Sequence, residues 1–452
     1  MSVANELAEA LMAVEDGSMP SKTTAHAAML ITSTLASAAL GRGLNSSTIV
    51  RDLALDKGGK PVATVWYTGG AKLPPADASR VNAITSDAAA SDDSDLRNMK
   101  HCGTPLVAAS MALAEAEGRS GTELLTAIAV GYEAAGRINR CIPNFRKRNF
   151  HGSSVVIFGV TIAAARLLKL SPAQTAHALS IAAGTSGTLS KAADTSTMRE
   201  FNGGQATFNG VNAALLARAG FEAETRILEI KGGFFETFGG VADGSQVAQG
   251  FLDGFGSAWD IDQYMAIKLV PGGHPYHSLA EASARVVADN GIQKQDIVRI
   301  TFSRSDGRYM SGPVHPKDLN DMAHSPTYFV AAGVVDGGVT WQHVSNEKIL
   351  DPIIHKVIDL VEPNYDLLPE AEKFLLGARV EITTKDGKTF GHTVYAPRGS
   401  TRGGITWEMV DEKYKALMPN SGLPQEAIDQ SFERIKNLAG QSNLTDLFKL
   451  LA

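Results

Sequence analysis

The hydrophobic period of this chain changes near residue 263, and that change limits the architectures open to it. Up to about residue 262, apolar side chains recur at helical spacing. Phe208, Val211, Leu215 and Ala219 form one stripe, and Gly220 closes it. Ser120 with Glu123, and Ser171-Pro172-Ala173-Gln174, are helix-start signals. Val155 to Leu168 is apolar nearly all round, so it reads as a central, buried helix. Val62 to Tyr67 is the one strand-like piece in this part. After 263 the alternation becomes that of strands. Ile297 to Phe302 reads as a strand. Val380 to Thr383, the turn Lys385-Asp386-Gly387-Lys388, and Phe390, His392 and Val394 read as a hairpin. Helices are expected over 277–290, 321–335 and 353–361. After about 404 the pattern is helical again, from Trp407 to Met418 and from Pro424 to Leu438. The expected architecture is mainly α, with an α+β domain over 263–404 inserted before C-terminal helices that return to the all-helical domain of 1–262 and 405–452.

At 452 residues the chain is too long for one simple core, which agrees with two domains. Its net charge of -6 gives no basic footprint for nucleic acid. Arg146-Lys147-Arg148 reads as a solvated loop. Two cysteines, Cys102 and Cys141, exclude a disulfide framework and a cysteine-rich zinc site. The first sixteen residues lack a signal-peptide pattern, and no apolar run spans a bilayer. A soluble cytoplasmic protein with no membrane partner is expected.

Glycine pairs such as Gly232-Gly233 and Gly239-Gly240 lack phosphate-loop spacing and read as turns, and no dinucleotide or Walker motif occurs. Acid–base side chains remain. The densest set is Lys268-Leu269-Val270-Pro271-Gly272-Gly273-His274-Pro275-Tyr276-His277, read as a strand, a sharp corner and a helix start. Imidazoles behind a cation at a helix start suit an anion. Three further segments carry ionisable residues at element boundaries. They are the loop from Ser91 to Pro105 between two helices, with Asp92, Asp93, Ser94 and His101; Asn149 to Ser154, with His151; and the polar loop Asp194 to Gly204, with Arg199. Several histidines, two cations and a carboxylate pair suit proton abstraction next to a carboxylate. Removing that weakly acidic proton needs a positioned base and cations on the enolate.

The ordered set of motifs resembles the MmgE/PrpD family. It comprises the Asp-Asp loop ending in histidine, the helix entry His151-Gly152-Ser153-Ser154, the Met198-Arg199-Glu200-Phe201-Asn202-Gly203-Gly204 segment and the Pro-Gly-Gly-His-Pro-Tyr-His corner. The resemblance covers nearly the whole chain. It implies an α+β lid on a large helical domain, a homodimer, and a site between the domains that uses no cofactor and no metal. It implies that His101, His151 and His277 share the proton transfers and that Asp93 orients a histidine or the loop. Arg199 and Lys268 would hold carboxylates, with Asp92, Ser94 and His274 completing the substrate-binding set.

The chain departs from the family pattern at Ala90, where an acid is missing, at Arg199, which replaces a lysine, and at Asn202, which replaces a histidine. The activity implied is a cofactor-independent lyase or isomerase acting on a small polycarboxylate or hydroxy acid. Dehydration or hydration comes first, then epimerisation, then decarboxylation. The alternatives are an inactive ligand-binding relative and a metal hydrolase using His274 and His277.

Overall fold

The computed structural model describes residues 1–452, and the chain divides into two units. The first comprises Met1–Ala88, Lys100–Met265 and Val410–Ala452; the second comprises Ala89–Met99 and Ala266–Met409.

The first unit is built of helices around Ser153–Leu167, in which every residue except Arg166 is buried. Gly121–Cys141 packs along it, as do Met198–Arg218, Gly103–Ala116 and Pro172–Thr185. Both expected start signals form full capping boxes. The Glu123 backbone N–H donates to Ser120 Oγ at 3.2 Å, and the Ser120 N–H donates back to Glu123 Oε2 at 2.8 Å. Ser171 and Gln174 repeat the arrangement at 3.2 and 3.0 Å. Such caps are worth about 1 kcal/mol each. The close approach of the two central helices depends on two facing glycines. A Cβ on Gly159 would lie 2.5 Å from the carbonyl oxygen of Gly131, and one on Gly131 would lie 2.7 Å from that of Gly159. Backbone touches backbone there, with no room for a methyl group.

Two expectations for this unit change. Val62 to Tyr67 yields only the two-residue strand Ala63–Thr64, paired antiparallel with Lys72–Leu73. Tyr67 adopts φ +60°, which ends the extended run, and its N–H goes to the Leu451 carbonyl. The polar loop expected over 194–204 is instead partly helical, because Met198–Arg218 begins inside it. Gly203 and Gly204 are both helical, and Gly204 is a packing residue seated against Ile84 and the Arg80 carbonyl.

In the second unit a four-stranded sheet runs in the order Val361–Pro363, Ile297–Ser303, Ala378–Thr384, Thr389–Val394. The first pair is parallel and the other two are antiparallel. The expected hairpin forms, with Ile382 opposite Phe390, Val380 opposite His392 and Ala378 opposite Val394, and Gly387 takes φ +80° in its turn. Helices His274–Asn290 and Pro326–Asp336 pack on each other, and the first also packs on the hairpin. Their shared core includes Leu279, Val286, Phe302, Phe329 and Ile382.

The helix expected over 321–335 is broken into Leu319–Ala323 and Pro326–Asp336. Pro326 has no N–H for a continuous helix, and Ser325 caps the second piece through the Tyr328 N–H. The helix expected over 353–361 stops at Ile358, and Val361 turns into the parallel edge strand. Residues 89–99, read from the sequence as part of the helical domain, group with this second unit. Strand Asp93–Asp95 pairs with Met265–Ile267, whose last two residues lie in the same unit. No single helix in the chain is long and apolar enough to cross a membrane.

Gly159→Ala is expected to cost about 1–3 kcal/mol through overpacking. Gly184→Ala, on a helix with nothing within 4 Å of the added carbon, is expected to leave stability unchanged or slightly raised. Urea denaturation of both variants checks the contrast, and equal midpoints would refute it.

Candidate functional site

In the second unit the site grows from the segment 89–99 lying along the corner at 268–277. The Lys268 N–H donates to the Asp92 carbonyl at 3.0 Å, and the Gly272 N–H to the Ala90 carbonyl at 2.9 Å. Ala90 accepts this geometry at φ +51°. The apolar run expected to be a strand over 268–270 is a bend, since regular pairing ends at Ile267. Gly272 is needed at the corner: its φ is +93°, and a Cβ there would lie 2.5 Å from the Phe329 ring.

This backbone arrangement brings four expected residues into two contacts. Lys268 Nζ meets Asp92 Oδ1 at 2.5 Å, with side chains 2% and 0% exposed, so the pair is fully desolvated. Ser94 Oγ lies 2.9 Å from His274 Nδ1. Strand alternation turns Asp93 and Asp95 away from the Ser94 face. Asp95 is engaged there by Arg97, with Nη2 at 2.5 Å and Nε at 3.0 Å. Residues 91–95 are all buried, so this stretch is an interior segment and not a surface loop.

His274 and His277 occupy the first turn of helix His274–Asn290, with ring centroids 4.8 Å apart. The His277 ring lies nearly parallel to that of Phe329 at 5.8 Å. Both imidazoles sit at the positive end of the helix dipole. The sequence reading missed Arg304. This arginine is buried, donates to the Pro275 carbonyl in that first turn, and donates to the Leu376 carbonyl at 3.0 Å. Burial lowers its pKa to about 10, so it stays charged near neutrality. An arginine following an apolar strand gave no sign of this role.

In the first unit, His151 stands just before the central helix. The Ser153 N–H donates to His151 Nδ1 at 3.3 Å, and Ser153 Oγ lies 2.9 Å from the same atom. Accepting at Nδ1 puts the proton of the neutral ring on Nε2. His101 is half-buried ahead of helix Gly103–Ala116. The stretches carrying these two histidines touch, because a Cβ on Gly152 would lie 3.3 Å from Lys100 Cα.

Arg199 lies in the first turn of Met198–Arg218. Its Nη2 donates to the Asp87 and Ala88 carbonyls at 3.1 and 3.0 Å, closing the end of helix Pro75–Asp87. Asp87 and Glu200 carboxylates lie 3.9 and 3.5 Å from its guanidinium. Burial raises the Glu200 pKa, opposed by the charge of Arg199. This cluster with Glu200 was not legible in the sequence, where Arg199 stood in a loop.

No three His, Cys, Asp or Glu side chains converge to hold a metal ion. Cys102 and Cys141 are both buried thiols, and burial pushes Cys141 up to about 12. Neither is expected to react with iodoacetamide at about pH 8 in the native protein. Both should react after denaturation, as read by intact mass, and native alkylation of Cys102 would contradict its burial.

Removing one member of the buried Asp92–Lys268 pair strands the other. Lys268→Met alone is expected to cost about 3–5 kcal/mol, and Lys268→Met with Asp92→Leu to recover much of that. Denaturation midpoints of the single and double variants check this, and equal losses would mean that the pair is not coupled.

Comparison with known proteins places residues 5–246 in the MmgE/PrpD N-terminal domain and residues 271–437 in the MmgE/PrpD C-terminal domain. The chain is 27% identical to cis-aconitate decarboxylase of Homo sapiens, covering 100% of this chain and 94% of that protein. It is 27% identical to the Mus musculus enzyme of the same name, over 86% of this chain and 81% of the relative. It is 25% identical to cis-aconitate decarboxylase of Aspergillus terreus (strain NIH 2624 / FGSC A1156), over 84% and 82%.

Proposed function

The chain belongs to the MmgE/PrpD family and is an enzyme of that type; we propose that it is a lyase acting next to a carboxylate of a small polycarboxylate. Histidines His101, His151 and His277 share the proton transfers, and Lys268 and Arg199 offset carboxylate charge. Asp93 orients the loop, and Asp92, Ser94 and His274 hold the corner and the substrate. The reaction runs on side chains alone, without a cofactor. The two contacts at the corner support this reading most. A desolvated ammonium–carboxylate pair and a hydroxyl-anchored imidazole stand beside a second imidazole at a helix start. Lys268 keeps N–H donors beyond the one given to Asp92, and a donor in a water-poor setting is what an enediolate needs, since Coulomb attraction grows as the local dielectric falls.

The finer reading is decarboxylation of an unsaturated tricarboxylate. The sequence alone put dehydration first; the full-length likeness to cis-aconitate decarboxylases moves decarboxylation ahead of it. In this step the C–C bond to one carboxylate breaks and carbon dioxide leaves. The electron pair delocalises into a neighbouring carboxylate, and an imidazolium delivers a proton to carbon. With Nδ1 engaged by Ser153, His151 presents Nε2 to the substrate, and the protonated ring would deliver that proton from there. Arg199 already donates to two carbonyls, so it serves as fixed positive charge rather than as a mobile clamp. A homodimer is part of the same proposal, and light scattering at the mass of a single chain would remove it.

Proton NMR in deuterium oxide over a panel of hydroxy and unsaturated di- and tricarboxylates tests the reading. The expected outcome is loss of carbon dioxide with one solvent deuteron on the product carbon. His151→Gln and His277→Gln should each lower kcat by about 10²–10⁴-fold. New vinyl signals without carbon dioxide would replace decarboxylation by dehydration. Silence across the panel, with ligand affinity intact in both variants, would support a binding-only relative instead.

A further inference from the structure

Outside the contacts described so far, the second unit carries a cavity of about 430 Å³. One wall is a single face of helix His274–Asn290, given by His277, Ala280, Glu281, Ala284, Arg285 and Ala288. That spacing of three and four is one side of a helix. Small residues on this wall and at Gly337 and Gly338 make the space, and Arg398 closes it from the segment after the hairpin.

The chemistry of the cavity is set by its two arginines. Arg285 and Arg398 have no hydrogen bond and no ion pair within 4 Å, whereas every other arginine of the chain has a partner within the protein. Both are exposed, and both lie in the field of Glu281 without bonding it. A guanidinium offers a planar fork of donors that fits a carboxylate. Two uncommitted guanidinia on one cavity therefore form a receptor for an anion with more than one carboxylate.

We propose that this cavity is a subsite for a di- or tricarboxylate, with Arg285 and Arg398 binding its carboxylates and His277 at the same wall. The inference rests on the proposed function for its link to catalysis, because His277 is the residue the two share. Glu281 is the internal competitor. It is half-buried one turn from His277, and the only charged groups acting on it are Arg398, Arg285 and His392, all attractive. Burial is the larger influence and raises its pKa. An arriving carboxylate takes over the attraction of the two arginines, so Glu281 binds a proton as the anion binds.

Isothermal titration of the full-length protein with citrate, in two buffers of different ionisation heat, tests this without requiring turnover. Citrate is expected to bind with net proton uptake and acetate to give no saturable heat. Arg285→Ala and Arg398→Ala should each weaken citrate binding by about tenfold or more, as loss of a charge-assisted contact does. Glu281→Gln should abolish the proton uptake and tighten binding. Both arginines are exposed, and circular dichroism would verify that the variants are folded. Citrate affinity unchanged in Arg285→Ala/Arg398→Ala, or no citrate binding to the wild type, would overturn the subsite. Carbon dioxide release whose KM is the same in that double variant would remove the subsite and leave the lyase standing. Arginine-dependent citrate binding in a protein that turns nothing over would do the reverse.

Discussion

The ion pair between Lys268 and Asp92 is the constraint on which the second unit depends. It joins a short segment from early in the chain to a corner met much later, and it does so where no water can share the charge. Desolvating an ammonium and a carboxylate costs several kcal/mol each, and their attraction offsets this only when the geometry is held. The backbone holds it. The Lys268 and Gly272 N–H groups clamp the carbonyls of Asp92 and Ala90, and Gly272 takes the conformation that turns the chain into the histidine-bearing helix. Once that corner is set, Ser94 reaches His274 and Phe329 lies under His277 with no further adjustment.

Much of this architecture could be read from residue order, because local rules governed it. Ser120 and Ser171 capped where their spacing said they would, and the hairpin formed around its expected Asp386-Gly387 turn. Apart from the local break at Pro326, the main readings that changed share one cause, which is contact with residues far off in the chain. Gly204 carries the same local signal whether it turns a loop or admits a neighbouring helix, and Ile84 and the Arg80 carbonyl decide between them. The strand at Asp93–Asp95 exists because Met265–Ile267 is there to pair with it.

The chemistry divides in the same way. Histidines and lysines near glycine corners were visible as candidates, since these residue types at element boundaries have few structural reasons to be there. Their partners were less visible. Ser94 as the anchor of His274, Glu200 beside Arg199 and Arg304 beneath Pro275 are defined by distances that no spacing encodes. Arg199 is instructive: a guanidinium in place of an ammonium loses proton-transfer chemistry but can bond two carbonyls at once, and here it does.

The insertion of residues 89–99 into the second unit also bears on how the chain reaches its native state. Asp92 and Lys268 are 176 positions apart. During synthesis the carboxylate emerges long before the ammonium that will neutralise it, and waits in a chain whose surrounding helices can already assemble. Closing so long a loop is entropically slow, and contacts of this separation dominate the late stages of folding. The histidine-bearing corner can therefore be completed only after residues on both sides of it have been made, so its chemistry waits on the joining of two distant stretches of chain.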